Sequence, residues 1–160
     1  MPRPFLLIAT LLGAAPAAGQ VATATLNANL NPVARLSLST NSLTFPDADP
    51  DVLPVLTASP ATVLITAKAR ASWGSTVTLT LQASDDLRSG VTTIPAGAVT
   101  WTASGDGFVG GTVSRASPQT VASWTGSGVH TGSQSFAFKN LWTYPSGTYT
   151  LTMLYTLSAP

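Results

Sequence analysis

The chain has 160 residues, seven cations, six acids and no cysteine, for a formal charge of +1. Charged residues make up only 8% of it and every acid is an aspartate, so no clustered basic face argues for nucleic acid, and disulfide or thiolate chemistry is excluded. This length fits a single domain able to bury its own core, and the lack of glutamate beside abundant Thr, Ser, Val and Ala favours strands over helices.

Taken in chain order, the first element is a secretory signal. Arg3 supplies a positive start, residues 5–12 (FLLIATLL) a short apolar run, and residues 13–19 (GAAPAAG) a small-residue stretch before a cut at Gln20. The apolar run is too short for a membrane-spanning helix, which needs about 20 residues. The expected organisation is therefore a signal peptide over 1–19 and one domain over 20–160. Without Arg3 the remainder holds four arginines, two lysines and six aspartates and is formally neutral. It contains no second long apolar run, so no membrane span is expected there.

Residues 21–30 (VATATLNANL) alternate, with Ala22, Ala24, Leu26, Ala28 and Leu30 on one face and Thr or Asn on most of the other. Period two predicts a half-buried strand. Asn31-Pro32 breaks it, and Ala34, Leu36 and Leu38 resume the pattern. A short apolar segment follows at 43–45. Residues 46–60 carry four prolines and three aspartates and predict a loop or a broken edge strand. Strands are expected over 63–69, 77–83 and 99–103, and less regular ones over 108–114 and 119–125. Turns are expected at 85–90 and at 104–107, where glycine permits positive φ. The glycine-rich residues 126–132 predict a loop, Phe136 and Phe138 a further strand, and residues 147–157 (GTYTLTMLYTL) the plainest strand of all. Eight or nine strands with turn signals every 8–12 residues predict an all-β fold, an immunoglobulin-like antiparallel β-sandwich of Greek-key type.

Catalytic equipment is sparse. His130 is the only histidine, and Ser127, Ser133 and Asp106 bear no spacing relation to it that would suggest a nucleophile–base–acid device. Asp85-Asp86 reads as a turn pair. No enzyme activity and no cofactor are expected. Asp47, Asp49 and Asp51 alternate and are weak calcium candidates, but no EF-hand glycine or later glutamate follows them. An acidic loop that blunts a sheet edge is the simpler reading. Trp124, Trp142 and Tyr144 sit beside or within loops and are the candidates for a ligand-stacking surface.

The ending YTLTMLYTLSAP resembles the C-terminal strand of WxL-type bacterial surface domains, with Tyr155-Thr156-Leu157 standing where that family has Trp-x-Leu. Residues 36–45 (LSLSTNSLTF) and 72–84 (SWGSTVTLTLQAS) are similar as well. The same features resemble fimbrial and spore-coat-like secreted β-sandwich subunits, which share a terminal Gly-x-Tyr strand. The resemblance implies a secreted, periplasmic or cell-surface location in a bacterial envelope. Two roles follow as expectations. One is a structural or adhesion-type subunit whose residues 21–30, through Ala22, Ala24, Leu26, Ala28 and Leu30, add as a strand to a sheet edge of the same or a neighbouring molecule. The other is a carbohydrate- or cell-wall-binding module using Trp124, Trp142 and Tyr144. The expected partners are protein subunits or a surface glycan.

Overall fold

Period-two patterns dominate the outcome: the computed structural model, which describes residues 24–160, is all-β and antiparallel, with no α-helix among the described residues. The expected leader and Ala22 lie outside the described residues. The strands are β1 Val33–Leu38, β2 Val55–Thr57, β3 Val63–Arg70, β4 Thr76–Ala83, β5 Leu87–Ser89, β6 Thr92–Ile94, β7 Val99–Ser104, β8 Gly111–Thr112, β9 Gln119–Thr125, β10 Gly128–Lys139 and β11 Met153–Ser158. One 3-10 turn, Ala96–Ala98, leads into β7.

The larger sheet runs β1-β3-β10-β7-β8, and β2 continues the β3 side of β10 further along. The smaller sheet runs β11-β4-β9, and β5 and β6 form a separate hairpin. The two main sheets pack face to face. Ile65 and Ala67 from β3, Trp101 from β7 and Phe136 from β10 meet Leu79 and Leu81 from β4 and Val121 from β9. β3 and β4 show why these segments are strands: every second residue, such as Val63, Ile65 and Ala67 or Val77, Leu79 and Leu81, is buried, so pairing in this register removes a whole apolar face from water. A bulge in the β4–β9 ladder at Leu79/Thr80 leaves Val121 unpaired and turns both Val121 and Ala122 inward.

The sequence expectations hold for the core strands and fail at five places, one of them the less regular strand expected over 108–114, of which only Gly111–Thr112 forms. Residues 24–32 form no ladder, and Leu26 is 95% and Leu30 69% exposed. The expected first strand is therefore not part of the chain's own sheets over these residues. The glycine-rich 126–132 is not a loop. A tight inter-sheet turn uses Gly126 (φ +80°) and Ser127, and β10, the longest strand, begins at Gly128. Gly132 is in that strand because a side chain there would collide with the Phe108 ring, 2.5 Å from its ideal Cβ position. The turn expected at 85–90 contains a strand, β5, paired with β6. The expected 147–157 strand joins a ladder only from Met153 onward, in β11, although Tyr149, Leu151, Met153, Tyr155 and Leu157 do share one half-buried face.

The β10 strand spans the sandwich from end to end. Its beginning lies beside the start of β1 and the end of β3, with Gly128 opposite Ala69 and Arg70 opposite Val33. Its end lies beside β2, with Lys139 opposite Val55. We call these the first and second poles. Pro160 reaches the first pole, where its carbonyl accepts a hydrogen bond from the Ser72 amide at 2.9 Å.

Candidate functional site: an open seam between the sheets

One long edge of the sandwich is bordered by β1 on the large sheet and β11 on the small sheet, each with a single ladder partner. Near the first pole β1 comes alongside β11 and the seam is shut. Toward the second pole both strands stop short, β1 at Leu38 and β11 at Met153. Between them the core is open as a groove of about 1210 Å³. Leu43 and Phe45 line one wall, Tyr149, Leu151 and Met153 the other, and Phe136 is on the floor.

The walls are held by local chemistry. Thr44 bridges to Ser59, its amide donating to the Ser59 carbonyl at 3.0 Å. On the facing side Thr150 and Arg88 exchange backbone hydrogen bonds at 2.9 Å each, tying the segment before β11 to β5. Phe138 sits between Phe45 and Tyr144, with ring centroids 5.6 and 5.8 Å away. The Asn140 side-chain amide donates to the carbonyls of Ala48 (2.9 Å) and Leu53 (3.0 Å), fixing the acidic loop over the end of the groove.

The structure does not bring the three candidate aromatic residues together. Trp124 lies on β9 near the first pole and is buried, 9% exposed, with its indole stacked on His130 at a 4.2 Å centroid separation. Its surface role is corrected: parity on β9 turns it inward. Trp142 is 68% exposed at the second pole and donates its indole N–H to Asp51 Oδ1 at 3.0 Å. Tyr144 is half-buried in the groove against Phe138. His130, expected in a loop, is in β10.

Asp49 caps its own loop: Oδ1 accepts the Asp51 amide at 2.9 Å, and its carbonyl accepts the amides of Val52 and Leu53. Asp47, Asp49 and Asp51 thus form a turn, and no group of three or more His, Cys, Asp or Glu that could hold a metal ion exists among the described residues. Asp85 lies instead beside two arginines. The hydrogen bond from Arg88 is the main cause holding its carboxyl below the usual aspartate value, and it raises the Arg88 guanidinium in turn. Arg115 sits beside both Asp85 and Asp86, and Asp86 Oδ1 accepts the Ala96 amide. These carboxylates pin the hairpin and the turn before β7. Among the described residues no helix is long and apolar enough to cross a membrane.

Sequence reasoning placed Tyr149, Leu151, Met153 and Phe138 in expected strands but missed the groove itself. An inward alternating face with no opposing strand is the only local sign of it. No family model, no curated protein and no solved structure matches this chain.

Proposed function

We propose that this chain is a non-catalytic structural subunit of a bacterial surface assembly. In this reading the sandwich is an immunoglobulin-like Greek key that lacks a closing strand, and residues 21–30 of a second copy supply it. The observation that carries the reading is the pairing of two deficits in one molecule. A half-open core has apolar walls and an unpaired edge, and an alternating apolar segment joins no sheet over its described residues, 24–30.

The point of departure favours exchange between copies. The segment leaves the body at the first pole, just before Val33, whereas the groove opens at the second. Folded back into its own groove, the segment would run parallel to β11. Entering the groove of the next copy from its second pole, it runs antiparallel to β11 and parallel to β1, so each route gives one antiparallel edge and the point of departure, not the pairing, separates them. At about 3.3 Å per residue, ten residues reach roughly 33 Å, the length of a long strand. Ala24, Leu26, Ala28 and Leu30 then face the groove while Thr25, Asn27 and Asn29 face water. Repeated head to tail, the contact does not close on itself and yields a fibre. Secretion rests on the leader-like residues 1–19. A glycan-binding surface gains no support from the geometry, because Trp124 is buried away from Trp142 and Tyr144.

The test compares the chain starting at Gln20 with the Leu26→Asp variant by size-exclusion chromatography and circular dichroism. The expected result is multimers in the first case and a folded monomer in the second, with a synthetic peptide of residues 20–31 binding the monomer. Multimers unchanged by Leu26→Asp, or a monomer that ignores the peptide, would refute the reading.

A further inference from the structure

We propose that successive copies are aligned by charge, with a basic collar at the first pole of one copy docking on an acidic rim at the second pole of the next. The proposal rests on the strand-exchange reading and adds the surface that orients it. Its partner is a second copy of this chain.

The collar is Arg35, Lys68 and Arg70. Arg35 lies directly opposite Lys68 in the β1–β3 ladder, and Arg70 follows two residues later on the same exposed face. Like charges placed directly across a sheet are unfavourable, and among the described residues no ion pair relieves them. All six acids are among the described residues, and the ion pairs formed there join only Asp85 and Asp86 with Arg88 and Arg115. A shallow hollow runs beside the three cations, edged by Val33 and Val129, which are both exposed. The face has apolar edges and an unmatched positive charge.

Asp47, Asp49 and Asp51 are exposed in the loop of the second pole, and Asp47 and Asp49 line the groove mouth itself. Lys139 ends β10 at this pole, so the charge there is net negative rather than fully acidic. The exchanging segment connects the two patches. Its base is tied to the collar, where Arg70 Nε donates to the Asn31 carbonyl at 2.6 Å, and its tip enters the groove past the aspartates. The collar of the donating copy therefore arrives at the rim of the accepting copy. Opposite potentials of this kind steer encounter and fix orientation more than they add affinity, which suits a contact whose holding energy comes from buried strand residues. The exchanging residues 21–31 carry no charge, so the segment does not itself distinguish one end of a partner from the other.

The test measures the assembly rate of the chain starting at Gln20 by light scattering at 20 and 300 mM NaCl. Three variants are compared with it: Arg35→Glu/Lys68→Glu, Asp47→Lys/Asp51→Lys, and the fourfold combination. The expected result is about a tenfold fall with salt. Each double variant should fall similarly at low salt, and the fourfold variant, with both poles reversed, should recover. An uncharged peptide of residues 20–31 should bind all four proteins equally. Salt-insensitive assembly, or a fourfold variant no faster than the doubles while the peptide still binds, overturns the charge alignment and leaves strand exchange standing. Charge rescue without peptide binding supports pole-to-pole docking and removes strand exchange instead.

Discussion

The Tyr155 hydroxyl crosses the sandwich to donate a hydrogen bond to Oε1 of Gln134, joining β11 of the small sheet to β10 of the large one. Gln134 is fully buried, and its Nε2 has no partner, so this bond is what satisfies the side chain. Tyr155→Phe leaves the amide wholly unpaired and should destabilise the domain by about 1–3 kcal/mol in urea unfolding.

The same pair gives a pH dependence. Burial raises the Tyr155 phenol well above its ordinary 10.0. Above pH 10 the unfolded chain releases this proton and the folded one keeps it, so stability falls as pH rises. The contribution is complete below pH 10 and is lost progressively beyond it. Thermal melts between pH 8 and 11 should show the decline, and Tyr155→Phe should flatten it. An equal slope in both proteins would assign the alkaline loss elsewhere.

The tryptophans should separate cleanly. Trp124→Ala removes a buried indole and its stack on His130 and should cost roughly 3–5 kcal/mol. Trp142→Ala removes an exposed ring with one hydrogen bond to Asp51 and should cost about 1 kcal/mol or less. Chemical denaturation of the two variants side by side decides this, and equal losses would contradict the burial assigned to Trp124.

Gly132→Ala places a methyl where the Phe108 ring lies. Overpacking of this kind should cost about 1–3 kcal/mol. Combining it with Phe108→Ala should restore part of the loss in a double-mutant cycle, whereas simple additivity would show that the ring is not the obstacle.

At the acid limit, Asp85 is held below its usual value chiefly by the Arg88 hydrogen bond. Its contribution is present above the ordinary 3.8 and is lost as pH falls through the lowered folded value. Hydrogen-exchange protection in the β5–β6 hairpin, relative to the intrinsic rate at each pH, should therefore fall on acidification, and Asp85→Asn should show the lower protection already at neutral pH.

β3 and β4 were legible because their information is local: VLITAKAR and TVTLTLQA alternate without interruption, and one buried face explains each. The start of β10 was not legible. Glycine signals both a turn and a close approach, and the Phe108 ring that decides between them comes from far earlier in the chain. The burial of Trp124 was hidden for a similar reason, since it depends on a bulge against β4. The groove is less legible still. It arises from where two edges stop, Leu38 on one sheet and Met153 on the other, and no short window contains both. The acidic turn was visible as composition, but its anchoring through Asn140 was not.

β10 runs unbroken from one end of the molecule to the other and is flanked by β3 and β2 on one side and β7 on the other. A tensile load applied between the two ends runs parallel to this strand. Antiparallel ladder bonds lie perpendicular to that direction, so they are sheared together rather than peeled apart in sequence. Sliding β10 past its neighbours along that axis therefore demands many simultaneous breaks.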